Sequence, residues 1–357
     1  MARPPLLLMR WKQKPAGSNW GEFGADDQRG RMNLVTREKV LQGAAEVKEG
    51  ISFCLSLPLD YPGGNALTPR RHPPRLAATV RDGKSAGKQN FCFPLAEDTP
   101  EASDVVSDDV ALLTLQYSTQ WDSFAHIGSR FDADGDGKRE IVFYNGFRAG
   151  EDLIPGKENA SPEPWARYEG TQAKALGIQN LAEHGAQGRG VLIDLHHHFG
   201  REQRAVSYGE LMRVMEKDGV AVEQGDMVCL YTGFADVVLE MKKKPDAQLL
   251  HRTCTGLDGR DDKLLEWISQ SGLACLIADN YAVEIIPTSL TKPKPHALFP
   301  LHEHCLFKNG IHLGEMWYLT ELARWLRSHR RNRFLLTAPP LRLPGAVGSP
   351  ATPIATV

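Results

Sequence analysis

The sequence predicts an α/β fold: one compact domain over residues 1–357, with a mixed β core surrounded by helices. Three observations carry this. The apolar runs at 190–195, 226–231 and 273–278 have strand length and no polar alternation, so both faces read as buried. Stretches with helical apolar spacing, at 208–217, 261–270 and 319–327, are interleaved with them or follow them. No internal repeat interrupts the pattern.

Taken in order, residues 1–18 read as an extended arm and 37–47 as a helix. Alternating apolar residues make 51–59 a strand that ends at Pro62-Gly63-Gly64. The Pro-, Gly- and charge-rich stretch 69–103 reads as a loop insertion. A strand at 110–117 is expected to deliver a polar segment, and the acidic turn 132–137 leads into a strand at 140–144. A helix follows at 171–184, then the buried strand 190–195 and the helix 208–217. The strand 226–231 ends at Thr232-Gly233, and the helix 261–270 precedes the strand 273–278, which ends at Asp279. After the helix 319–327, residues 334–336 open the last strand and 339–357 form a tail.

Composition narrows the function. Hydrophobic residues make up 41% and charged residues 24%, as in soluble globular proteins. A net charge of −2 argues against nucleic acid or an anionic membrane as partner. The basic runs 242–244 and 327–333 read as solvated helix ends. No stretch approaches the roughly 20 apolar residues of a membrane span, and the N-terminal apolar run is too short for a signal peptide. The six cysteines are scattered without a CxxC pair, which suits reduced thiols in the cytoplasm. No Gly-rich phosphate loop or nucleophile elbow is present, so no nucleotide cofactor is expected.

Chemistry concentrates at 116–126. In a strand Gln116, Ser118 and Gln120 share one face, and Asp122 continues it. Four polar groups on a buried face are costly unless they bind one another, water, a metal or a substrate. His126 lies just beyond and can reach back as an acid or base. On spacing alone, a functional site and a hydrogen-bonded polar ladder both stay open. Trp121 and Phe124 offer aromatic surface to a planar substrate or else pack in the core; Tyr144, with Asn145, brings a phenol and an amide to a pocket or else forms a turn.

The 116–126 segment resembles the H-x-G-T-H-x-D-x-P-x-H motif of the cyclase superfamily, which includes bacterial kynurenine formamidase and isatin hydrolase. The resemblance spans nearly the whole chain. Asn19-Trp20-Gly21, Gly24-Ala25-Asp26-Asp27 and Asn33-Leu34 are similar to its N-terminal segment. Residues 188–194, Gly225-Asp226 with Tyr231-Thr232-Gly233, and Ala278-Asp279 with Val283-Glu284 are similar to its central strands. His302-Glu303, Gly310-Ile311 and Gly314-Glu315 resemble its second metal segment. Pro340-Leu341-Arg342-Leu343, Gly345, Gly348-Ser349-Pro350 and Pro353-Ile354-Ala355 resemble its C-terminal signature.

The resemblance implies a barrel-like β core, a homodimer or homotetramer, and a divalent metal, zinc or manganese, that activates water to open an amide or lactam. Carried over by position, it implies Gln116, Gln120, Asp122, His302 and Glu315 as metal ligands and His126 as general acid/base. Asp122 and Glu315 would hold the metal or, without one, orient water. Here the chain departs from the pattern: glutamine stands at both first-segment histidines, and Ser118 and Phe124 replace the motif's glycine and proline. A neutral amide oxygen is a poor zinc ligand and suits manganese or magnesium better. Alternatively the site holds no metal, and Gln116 and Gln120 bind the substrate directly. His302 fits the second segment better than His304, because Glu303 follows it; His312 reads as a surface or packing residue.

The 132–137 turn mimics half an EF-hand loop, but Phe143 stands where the bidentate Glu is required. His196-His197-His198 would alternate sides of a strand and so not share one ion, although one of them could line the site.

The expected activity is hydrolysis of an amide, imide or lactam C–N bond of a small, aromatic-compatible metabolite. The competing readings are a metal-independent dehydratase, cyclase or isomerase, and a silent small-molecule-binding homologue. Retention of Asp122, His126, His302 and Glu315 together counts against the last.

Overall fold

The computed structural model describes residues 9–158, 167–286 and 296–357. Nine strands form one curled, half-barrel sheet: β1 (Ser52–Cys54), β2 (Gln120–Asp122), β3 (Gln187–Asp194), β4 (Met227–Tyr231), β5 (Cys275–Ala278), β6 (His312–Glu315), β7 (Arg333–Thr337), β8 (Gly348–Pro350) and β9 (Ile354–Thr356). Their order is β1-β9-β7-β3-β4-β5-β6-β2-β8. The run β3-β4-β5-β6 is parallel, and every other pairing is antiparallel.

The three apolar runs are the parallel centre, and alternation explains why they lack polar residues. Val191, Ile193, Val228, Leu230, Leu276 and Ala278 enter one core cluster. Leu192, Met227, Cys229, Tyr231, Cys275 and Ile277 enter the other. Helices cover both faces. On one side lie α1 (Arg37–Ala44) and α4 (Thr320–Ser328), and on the other α2 (Tyr208–Asp218) and α3 (Asp262–Gln270). Ser207 and Glu210 close a capping box at the start of α2, and Asp261 caps α3 through the N–H groups of Lys263 and Leu264.

Several expectations need correction. The strand expected at 110–117 is only Asp109–Leu112, and it pairs with Arg75–Ala78 outside the main sheet; turns at 115–119 deliver the motif instead. The 69–103 stretch is not simply loop: it contains this hairpin's first strand and Phe93–Pro94, which pairs with Val105–Val106. The helix expected at 171–184 is confined to Gln179–His184, and Gln172–Ala173 is extended. The 339–357 tail contributes two strands of the main sheet, because Gly348–Pro350 and Ile354–Thr356 satisfy β2 and β7. Residues 1–8 of the expected arm lie outside the described residues, whereas Trp11 is buried edge-on against Trp20. Among the described residues, no helix is long and apolar enough to cross a membrane.

Candidate metal centre

The site forms where the parallel run ends. Glu315 is the last residue of β6, and β2 lies antiparallel beside it in the register Gln120↔Glu315 and Asp122↔Leu313. Alternation puts Gln120 and Asp122 on one face of β2 and Trp121 on the other. Cross-strand neighbours on one face can touch, and Gln120 Nε2 donates to Glu315 Oε2 at 3.0 Å. Two indoles fix the strand: Trp317 Nε1 donates to Gln120 O (3.1 Å) and Trp121 Nε1 to Ala338 O (2.7 Å).

His302 arrives from a short helix, Pro300–His302, that runs on into a π-helical turn, Glu303–Lys308. Glu284 sets that helix. Its carboxylate accepts from the backbone N–H of Leu301 and of His302, each at 3.1 Å, and lies 2.8 Å from His302 Nδ1. The opposite ring nitrogen, Nε2, is 3.1 Å from Glu315 Oε1. Val283, before Glu284, has φ 57°, and Met316, after Glu315, has φ 58°. Left-handed conformations in a β-branched and a bulky residue store strain, which the surroundings must over-determine. Asn280 ties both loops, accepting from Val283 N at 2.7 Å through its side chain and from Met316 N at 2.8 Å through its carbonyl.

Asp122, His302 and Glu315 thus bring three buried ligand atoms within 4.8 Å of one another. Both carboxylate oxygens of Asp122 and the amide oxygen of Gln120 are buried with no hydrogen-bond partner among the described residues. Unmatched buried acceptors converging beside a second carboxylate are what a cation satisfies. The residues therefore fit a divalent metal, and one imidazole with several oxygen donors suits manganese or magnesium better than zinc.

Electrostatics follow from burial and charge. Burial raises the Glu315 carboxyl to about 7, with the Asp122 charge adding to the effect and His302 opposing it. Burial alone would lower His302, but hydrogen bonds to Glu284 and Glu315 carry it up to about 10. His126 Nε2 stands 3.9 Å from Asp122 Oδ2, beyond hydrogen-bond reach. Burial lowers its pKa; Asp122 opposes this, and the His302, Arg71 and Arg70 charges reinforce it. A neutral His126 at pH 7 is available as a base.

Of the residues expected at the site, Asp122, Gln120, His302, Glu315 and His126 come together. Gln116 is adjacent: its amide packs over Gly348, the cross-strand partner of Asp122, where an added Cβ would lie 2.5 Å from Gln116 Nε2. Trp121, Phe124 and Tyr144 are fully buried core residues rather than substrate surface. Trp121 packs edge-on against Trp317 on the far face of β2, and Phe124 lies between Tyr144 and His312. Tyr144 abuts Gly310, and Asn145 adopts φ 56° to bond the backbone of Gly24, Ala25 and Asp27, which makes it a turn residue. His304 turns away to Ser269 and Asn309. His196-His197-His198 lie on a helical turn rather than a strand: His198 pairs with Asp218, and His196 rests on Tyr231. Asp132 spends its oxygens on the N–H groups of Gly135, Asp136 and Gly137, giving a tight acidic turn.

Two supporting residues escaped the sequence reading. Glu284 stood within the Val283-Glu284 pair but was given no role. His312, read as surface or packing, is buried, stacks 4.0 Å from Phe124 and donates through Nδ1 to Asp122 O at 3.0 Å. A glutamate and a histidine in otherwise apolar runs were the available signals, because such groups need partners when buried.

The cyclase family model matches residues 55–285 of the chain. A solved structure of a novel cyclase is 30% identical over 95% of this chain and 99% of its own, with a TM-score of 0.69. The fold is also similar to isatin hydrolase A from Labrenzia aggregata bound to benzyl benzoate, at 11% identity, 90% and 98% coverage and a TM-score of 0.51. An isatin hydrolase bound to the product analogue thioisatinate is similar at 12% identity, 90% and 99% coverage and a TM-score of 0.52. No curated protein sequence matches the chain.

Proposed function

The chain belongs to the cyclase family, and from that premise we propose that it is a hydrolase opening an amide, imide or lactam C–N bond of a small metabolite. One observation carries the proposal: the buried Asp122–His302–Glu315 cluster has unmatched oxygens on Asp122, with His126 just outside it. Asp122, His302 and Glu315, with the Gln120 amide oxygen, would hold a divalent cation. Such a cation supplies Lewis acidity toward a carbonyl oxygen and toward water. The chain's own residues do the rest. His126 Nε2 takes the proton of the attacking water and returns it to the leaving nitrogen. Glu284 fixes the orientation and tautomer of His302, as a carboxylate behind a ligating imidazole does. His312 holds the backbone of Asp122.

One observation favours a second reading. Both oxygens of Glu315 are already engaged, by Gln120 and by His302. A Glu315 so engaged also suits a metal-independent dehydratase, cyclase or isomerase, in which His126 and Glu315 move protons.

Elemental analysis of protein purified without chelator, followed by assays on isatin, phthalimide and N-formylanilides with and without EDTA, separates the two. Near-stoichiometric metal and chelator-sensitive hydrolysis are expected. Metal-free protein that still turns over replaces the first reading with the second. Loss of both metal and turnover, with small-molecule binding retained, overturns both.

A further inference from the structure

A groove of about 1010 Å³, walled mainly by residues 127–132 and 296–308, lies beside the site. Its position follows from the chain on either side of the catalytic cluster. Ile127 directly follows His126, and the Phe299 ring lies 5.5 Å from the His302 imidazole. Ser129 Oγ donates to Glu303 Oε1 at 2.8 Å, joining the two walls. The volume matches that of small-molecule sites, which run to roughly 1,000 Å³.

The lining is apolar with unbalanced charge. Ile127, Phe131, Leu298 and Phe299 supply the apolar surface, and Leu298 is 56% exposed. The acids are satisfied internally. Asp132 accepts from Gly135, Asp136 and Gly137 N–H, and Glu303 is held by Ser129 and by Lys308, the latter at 3.5 Å. The exposed guanidiniums of Arg130 and Arg139 make no ion pair among the described residues. Two unpaired guanidiniums beside aromatic and aliphatic surface fit an apolar body that ends in an anion, since a guanidinium fork matches a carboxylate.

We propose that this groove binds the non-reacting part of the substrate, an aryl or alkyl carboxylate, with its apolar body on Phe131, Leu298 and Phe299 and its anion on Arg130 and Arg139. The assignment names the substrate class of the hydrolase reading above and rests on it.

The test is calorimetric titration of the metal-stripped full-length protein with 2-naphthoate and its neutral isostere 2-naphthamide, so that no metal is available to bind the carboxylate. Wild type is expected to bind the naphthoate at least about tenfold tighter. The exposed double variant R130Q/R139Q is expected to erase that preference while leaving the naphthamide affinity unchanged. Leu298→Asp should weaken both ligands. Wild-type protein that binds neither probe or shows no preference, or a double variant that keeps the preference, overturns the proposal. Protein that passes this test yet hydrolyses no amide overturns the hydrolase reading and leaves the groove standing.

Discussion

The two halves of the candidate centre are built differently. The second half, Glu284–His302–Glu315, is closed upon itself: each ring nitrogen of His302 faces a carboxylate, and Glu284 also caps two backbone N–H groups. The first half is open: Asp122 offers two buried carboxylate oxygens and Gln120 one amide oxygen, none with a hydrogen-bond partner among the described residues. One half is preorganised by internal hydrogen bonds, and the other keeps unmet acceptors that a cation or a substrate donor must satisfy. The second half therefore keeps its architecture with glutamine at positions 116 and 120, because its hydrogen bonds run from Glu284 through His302 to Glu315.

The largest effect should come from the open half. Asp122→Asn removes the uncompensated charge, and bound metal measured by elemental analysis should fall to background while the fold, read by circular dichroism, persists. Retained stoichiometric metal would mean that the closed half suffices as a ligand set. Next comes the group outside both halves. His126→Ala should lower turnover by about 10²- to 10⁴-fold, the usual contribution of a general acid or base, with metal content unchanged. Wild-type rates would remove His126 from the mechanism.

The closed half should answer more quietly. Glu284→Gln keeps an acceptor for the Nδ1 proton but loses the charge, and metal affinity measured by chelator competition should drop about 10- to 100-fold. An unchanged affinity would reduce Glu284 to a helix cap. The smallest effect is on stability. The His302 pKa is raised from 6.5 to about 10, so its contribution in metal-free protein is fully present below pH 6.5 and lost as pH rises through 10. The Tm of metal-free wild type should therefore fall between pH 8 and 10 more steeply than that of His302→Gln. Parallel curves would show that the clamp does not hold a charged imidazole.

Much of this was legible in the chain. The runs at 190–195, 226–231 and 273–278 announced a two-sided parallel centre, and the motif pieces from Asn19 to Ala355 pointed to the family. What the sequence left open or misread was decided by packing. Trp121, Phe124 and Tyr144 could each face a substrate or serve the protein interior, and alternation and packing send them to the core. The 110–117 strand failed because its apolar residues belong to a hairpin outside the main sheet. The C-terminal residues looked like a tail because a short strand such as Gly348–Pro350 carries almost no periodic signal.

By itself, the sequence determined the fold class, the family resemblance and the inventory of groups able to do chemistry. Those depend on residue type and local period, which any reader of the chain can count. Only the tertiary structure decided which groups meet. The register of β2 against β6 brought Gln120 to Glu315, two left-handed residues turned Glu284 and Glu315 toward His302, and burial left the Asp122 carboxylate without a hydrogen-bond partner among the described residues. Contacts between residues nearly 200 positions apart are set by how the strands pair and pack, and no local pattern encodes that pairing.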